Sequence, residues 1–217
     1  MIDISVYLTQ WLALTLVVFL AAISPGPDFV VSVRNSLVYN RRAGIFTAFG
    51  FGLSILIHVA YTVLGIAAII AQSILLFNLI KYAGAAYLIY LGIQAWRSKG
   101  MGEAALEKAL HNKESHKNLS DWSALRSGFL TNLLNPKATM FFLAVFSQFI
   151  HPDTPAIVLS IYGITCISII TAWFCLVAIV LTHQKVRNIF LKATKAIDRT
   201  CGTLMIALGI KVALTTK

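Results

Sequence analysis

The chain has 217 residues, of which 58% are apolar and only 12% are charged. Soluble domains have roughly 45–50% apolar and about 25% charged residues, so this composition excludes an ordinary soluble domain and indicates an integral membrane protein. Its net charge is +10. The basic residues are spread along the chain rather than gathered in the single patch that nucleic-acid binding favours.

Six stretches are apolar enough to cross a bilayer, whose hydrocarbon core requires about 20 apolar residues per helix. In chain order they are 4–23, 44–71, 74–95, 130–150, 156–181 and 200–214. The first is preceded by Asp3 and by no Lys or Arg, unlike a signal peptide, so we expect it to be retained as a helix. The predicted fold class is therefore all-α integral membrane with six transmembrane helices.

The basic residues also predict the orientation of these spans. Of the 18 lysines and arginines, 14 follow the first, third and fifth spans, whereas the connections at 71–73 and 151–155 contain none. Under the positive-inside rule the three basic connections are cytoplasmic, and both termini are extracytoplasmic.

The two halves of the chain resemble each other. The third span contains "KYAGAAYLIYLGI" from Lys81 and the sixth contains "RTCGTLMIALGI" from Arg199. We expect one transmembrane domain over 1–217, with repeat 1 at about 1–97, a polar cytoplasmic linker at about 98–122 and repeat 2 at about 123–217. Three spans per repeat make the second repeat inverted, an arrangement typical of secondary transporters, whose sites lie on broken helices near mid-membrane.

Prolines interrupt the first span of each repeat. They occur in "SPGPDF" at 24–29 and in "NLLNPKATMFF" at 132–142. Proline favours the first position of a new helix, so each motif predicts one helix ending and another beginning, with Ser24 or Gly26 and Asn135 as the caps. Such a break is tolerated in hydrocarbon only where protein or a polar cavity surrounds it.

Opposite charges follow the two breaks. Asp28 comes after Pro27 and Lys137 after Pro136, beside helix N-termini that favour anions. This pattern suits a zwitterion, with Asp28 for the ammonium and Lys137 for the carboxylate. The alternative is an Asp28–Lys137 ion pair that only joins two helices, and both interpretations hold if substrate displaces the pair. The predicted substrate-binding residues are Pro25, Gly26, Pro27, Asp28, Asn135, Pro136 and Lys137.

Asp28 and His58 are the candidate proton carriers. His58 lies within the second span, and histidine ordinarily titrates near neutral pH. A histidine that only hydrogen bonds between helices is the alternative. Lys81 would line an external exit or extend to the interface. No nucleotide motif, cofactor motif or metal-ligand spacing occurs, so we expect no enzyme, no cofactor, no metal site and an ion gradient as the energy source.

The motifs "SPGPD", "GFLTNLLNPKATMFF" and "KYAGAAYLIYLGI", with "TAWF" at 171–174, resemble the LysE/RhtB family of amino-acid exporters. The resemblance implies export from the bacterial cytoplasm across the inner membrane, driven by the proton-motive force. Asp28 after the second proline is similar to the RhtB-type branch, which handles threonine, homoserine and other neutral amino acids. The implied partners are the amino acid, protons and membrane lipids, and a homo-oligomer is possible.

Two other functions stay open at this point. One is efflux of a cation, although a cation site would collect several acids, thiols or carbonyls rather than one acid and one lysine. The other is a membrane protein that transports nothing, which would need neither broken helix.

Overall fold

The computed structural model describes residues 4–24, 26–98, 119–150 and 154–214, and these ranges form eight α-helices and no strand. The first repeat supplies α1 (Ile4–Ile23), α2 (Pro27–Val38), α3 (Arg41–Gln72) and α4 (Ile74–Arg97). The second repeat supplies α5 (Asp121–Leu133), α6 (Pro136–Phe149), α7 (Ala156–Val180) and α8 (Gln184–Leu214). Most of the predicted linker lies outside the described residues, and α5 begins at Asp121, after the N-cap Ser120.

Four of the six predicted spans agree with these helices, and the starts of the fourth and the last do not. The fourth was predicted to begin at Leu130, but α5 already begins at Asp121. The first span coincides with α1, and the second, third and fifth match α3, α4 and α7 within a few residues. The predicted start of the last span at Thr200 is wrong, because α8 already begins at Gln184. The segment that looked like a basic connection is therefore mostly helix.

The first half of α8 is helical because it is amphipathic. Thr194, Asp198 and Cys201 are buried at helical spacing, while Lys192 and Lys195 on the other side are exposed. Residues three and four apart share one face of a helix, so alternating basic and buried positions produce an ordered helix with low mean hydropathy.

By length and composition, three helical segments could each cross a membrane: Ser5–Ile23, Arg41–Ile66 and Ala156–Val180. The pair α5 and α6, bent by 60° at its break, counts as a fourth. The helices α4 and α8, which correspond to the third and sixth predicted spans, are not among them. The described residues are thus helical and contain apolar spans, as expected of a membrane protein, and the count of six spans stays a prediction.

The helices of the two halves pack mainly against each other. Extensive contacts join α3 to α5 and α7, α1 to α7, and α4 to α8. At the crossing of α4 and α8, a Cβ atom on Gly92 would lie 2.6 Å from the Gly202 carbonyl oxygen, and one on Gly202 would lie 2.5 Å from that of Gly92. Further along, a Cβ atom on Gly209 would lie 2.8 Å from the carbonyl oxygen of Ala85. The contact is therefore antiparallel and reciprocal, and it brings the two "Leu-Gly-Ile" helices together.

Aromatic side chains fill the core around the two broken helix pairs. Phe51 on α3 lies 4.7 Å from Phe174 on α7, measured between ring centroids, and Phe142 on α6 stacks on His58 at 5.7 Å. These rings are almost fully buried. They pack α3, α6 and α7 around the N-termini of α2 and α6, and the polar side chains Ser24, Asn132 and Asn135 beside the two breaks are buried.

Candidate functional site

Each break ends one helix and starts another at a proline. Pro27 occupies the first turn of α2, with Gly26 as the N-cap, and Pro136 occupies the first turn of α6, with Asn135 as the N-cap. The side-chain oxygen of Asn135 accepts a hydrogen bond from the Lys137 backbone N–H at 3.0 Å, whereas Gly26 offers no side-chain cap. Both breaks were predicted from the sequence and are confirmed, while Pro25 lies outside the described residues.

The two breaks meet in the interior of the protein. Asp28 Oδ2 accepts hydrogen bonds from the side-chain amides of Asn132 at 2.9 Å and Asn135 at 3.3 Å. On the other side, Lys137 Nζ lies 3.7 Å from the point where a Cβ atom on Gly26 would sit. The first break therefore meets the second at two places, Asp28 and Gly26.

Asp28 and Lys137 do not form a direct ion pair. In the described part of the chain, the one pair of opposite charges within 4.0 Å is Arg42 with Asp121, at the exposed ends of α3 and α5. The second carboxylate oxygen of Asp28, Oδ1, is buried and has no hydrogen-bond partner among the described residues. A buried polar atom without a partner is costly, so this oxygen is suited to accept a hydrogen bond from a bound group.

A small cavity of about 60 Å³ lies between the two breaks. One water needs about 10–15 Å³ by the same measure, so the cavity has room for a few waters. Polar side chains line one part and aromatic rings the other; among its residues are Ser24, Asp28, Asn132, Asn135, Lys137, Phe141, Phe142 and Phe174. The site is thus narrow and mostly apolar, and it carries both signs of charge.

Asn132 joins three elements at this site, and the sequence analysis did not select it. Its side-chain oxygen accepts a hydrogen bond from Ser54 Oγ at 2.6 Å, while its amide nitrogen donates to Asp28. Its backbone oxygen lies 3.1 Å from His58 Nε2. The available signal was a second asparagine only three residues before Asn135, next to the predicted break.

His58 is fully buried and hydrogen bonded through both ring nitrogens. Nε2 reaches the Asn132 carbonyl, and Nδ1 lies 2.6 Å from the Tyr61 hydroxyl. A neutral ring that donates from Nε2 and accepts at Nδ1 satisfies both contacts, and this tautomer is assigned from the partners. His58 therefore links α3 to α5, and a chain of two contacts through Asn132 connects it to Asp28.

Two further charged residues are buried. Asp198 on α8 is only 2% exposed. The sequence analysis missed Asp198, because it occurs among basic residues that were assigned to a connection. Lys81 is buried as well, with its ammonium 5.9 Å from the centre of the Tyr82 ring, so it does not extend to the surface.

Comparison with known proteins agrees with this architecture. Residues 19–216 match the family model described as LysE type translocator. The chain belongs to this family of membrane translocators. The family resemblance predicted from the proline motifs is therefore confirmed, and it covers both breaks.

Several relatives are named as efflux proteins. The chain is 29% identical to the homoserine/homoserine lactone efflux protein of Salmonella typhimurium over 94% of this chain and 95% of the relative. It is 28% identical to the threonine efflux protein of Escherichia coli K12 over 96% and 99%, respectively. A match to an uncharacterized membrane protein of Vibrio cholerae reaches 39% identity but spans only 65% of either chain. No solved structure matches the chain.

Proposed function

We propose that this translocator exports small neutral amino acids, similar to threonine or homoserine, from the bacterial cytoplasm in exchange for protons. The observation that supports it most directly is the arrangement of the two breaks: an unpartnered Asp28 oxygen and the Lys137 ammonium border one cavity without pairing with each other. The names of the two full-length relatives support an amino acid as the substrate.

In this proposal the site binds the two ends of a zwitterion. Asp28 Oδ1 accepts a hydrogen bond from the α-ammonium, while Oδ2 stays fixed by Asn132 and Asn135. Lys137 and the N-terminus of α2, which has no side-chain cap, bind the α-carboxylate. The rings of Phe141 and Phe142 leave space for a small, uncharged side chain.

A zwitterion carries no net charge, so the membrane potential alone cannot drive its export. We assign the exchanged proton to Asp28, because the same carboxylate can hold either a proton or an ammonium but not both. His58 is the second candidate, since it reaches Asp28 through Asn132. Competition between the proton and the substrate ammonium for the Asp28 carboxylate then couples proton entry to amino-acid export.

The proposal places the chain in the plasma membrane as two inverted repeats of three spans, with both termini outside. Supporting this arrangement, each proline break has a counterpart in the other half, and α4 and α8 cross reciprocally at Gly92 and Gly202. Lipids surround the apolar outer faces, where for example Leu64 and Ile164 are exposed.

The first prediction tests transport and the role of Asp28 together. The purified protein is reconstituted into liposomes, which are loaded with an unlabelled neutral amino acid. Uptake of a labelled external compound is then measured for each member of a panel of neutral amino acids, basic amino acids and divalent metal ions. We expect exchange of threonine- or homoserine-like compounds, and at least about a tenfold loss in Asp28→Asn, since a charge-assisted hydrogen bond is lost.

Asp121→Asn is the matched control, because it removes the same charge from an exposed ion pair at the end of α5. It should leave exchange within about twofold, since exposed pairs contribute little. Exchange of metal ions but of no amino acid would refute the proposal, as would Asp28→Asn protein with full proton-driven accumulation.

A further inference from the structure

We infer that Phe142 is a specificity-determining residue of this site: its ring forms a fixed wall of the cavity that admits a side chain of the size of threonine and rejects one of the size of leucine. This inference rests on the proposed function and deepens it, because it names the residue that selects among neutral amino acids. The substrate carboxylate lies at Lys137, and its side chain extends along α6 towards the ring.

The first step is the chemistry of the cavity wall. Apart from the residues of the two breaks, the apolar side chains that line the cavity belong to alanine, isoleucine and phenylalanine, and they include Ala138, Phe142 and Phe174. Such side chains recognise a ligand by its shape and size. Because the cavity measures only about 60 Å³, one additional methylene group on a substrate is enough to affect its fit.

The second step is that the Phe142 ring is held in place. It is 2% exposed and stacks on His58, with an angle of 9° between the ring planes and 5.7 Å between the centroids. Phe141 lies nearly at a right angle to it, with the centroids 5.5 Å apart. His58 is itself held by the Tyr61 hydroxyl and the Asn132 carbonyl. A ring that is packed in this way moves only at a cost in free energy, so it acts as a rigid wall.

The third step is the position of Phe142 relative to the charge that binds the substrate. Lys137 and Phe142 are five residues apart on the same helix, which corresponds to about 7.5 Å along its axis. Ala138 comes four residues before Phe142, so its methyl group and the ring are neighbours on one face of α6. Both residues line the cavity. The continuous helix therefore sets the space between the lysine and the wall.

The consequence is that two substitutions on this face should change the size limit in opposite directions. In Phe142→Leu, the affinity for leucine relative to threonine should rise about tenfold, because the shorter side chain leaves room beyond the substrate. In Ala138→Val, two added methyl groups narrow the same space, so the affinity for threonine relative to alanine should fall about tenfold. A general loosening of the protein would not produce opposite changes.

The experiment measures the concentration for half-maximal exchange of alanine, threonine and leucine in liposomes with the wild type and each variant. These three substrates have the same ammonium and carboxylate groups, so their differences report on the side chain alone. Phe146→Leu is the matched control: Phe146 is fully buried one turn further along α6, 6.2 Å from Phe142 between centroids, and is not among the described residues that line the cavity. This control should leave the leucine-to-threonine ratio within about twofold of the wild type.

Three results would overturn the inference. The first is a wild type that exchanges leucine as well as threonine, and the second is the same leucine-to-threonine ratio in Phe142→Leu and Phe146→Leu. The third is an equal loss for alanine and threonine in Ala138→Val, and this variant still decides if Phe142→Leu does not fold. Failure of the wild type to exchange any amino acid would instead refute the proposed function.

Discussion

Asn132 is the residue on which the geometry of the site depends most. Its amide group holds Ser54 and Asp28, and its carbonyl faces His58, so three elements meet at one side chain and its backbone. Asp28 has one further amide partner, Asn135, and Ser54 also donates to the Phe51 carbonyl. The orientation of the Asp28 carboxylate is thus set by an uncharged neighbour.

We expect Asn132→Ala to destabilise the protein by about 1.5–3 kcal/mol, because it removes a hydrogen bond to a charged group. The measurement is the thermal unfolding midpoint in detergent micelles. Asn188→Ala is the matched control, since Asn188 is exposed on α8 and its loss should cost less than about 0.5 kcal/mol. Equal midpoints for the two variants would contradict the role of Asn132.

Of the individual residues in the site, the sequence predicts some and misses others. Pro27, Asp28, Pro136 and Lys137 stand out because proline and charge are rare in apolar spans. Asn132 does not, since a single polar residue on a helix is informative only once the inward face of that helix is known. Whether these residues bind substrate stays a prediction.

The crossing of α4 and α8 is one of the close approaches between the two halves at the level of helices. Gly92 and Gly202 each lie against the backbone of the other helix, so neither position has room for a methyl group. Small residues at such crossings let helices pack closely in a membrane, where the hydrophobic effect does not hold them together.

We expect Gly202→Ala to cost about 1–3 kcal/mol, because its Cβ atom would force the two backbones apart. Gly65→Ala on α3 is the control: apart from its own turn of helix, no atom of the described residues lies within 4 Å of its Cβ position. There alanine should stabilise the helix by about 0.5–1 kcal/mol. Thermal midpoints that fall in both variants, or in neither, would show that the crossing is not tightly packed.

Helix boundaries divide into those that local sequence determines and those that it does not. Prolines and apolar length predict α1, α3, α7 and both breaks closely, because these signals act within a few residues. The start of α8 was missed, since an amphipathic basic helix has the composition of a polar connection until its buried side is known.

The orientation of the helices in the membrane is a property of the whole molecule. Ser73 connects α3 to α4, and Lys185 lies near the start of α8. With the native cysteines replaced, Ser73→Cys should react with a membrane-impermeant maleimide added to intact cells, whereas Lys185→Cys should react only after permeabilisation. This follows from the 14 basic residues on one side. The reverse labelling pattern would contradict the proposed orientation and place both termini in the cytoplasm.

The packing of α3 on α5, of α1 on α7 and of α4 on α8 has a consequence for biosynthesis. The ribosome delivers α1, α3 and α4 before their main partners exist. Until α5 and α6 arrive, Asp28 lacks both asparagine amides and the lysine, and until α8 arrives the backbone at Gly92 lacks the helix that covers it. The polar site and the packed crossing of the first half therefore form only when the second half has been made.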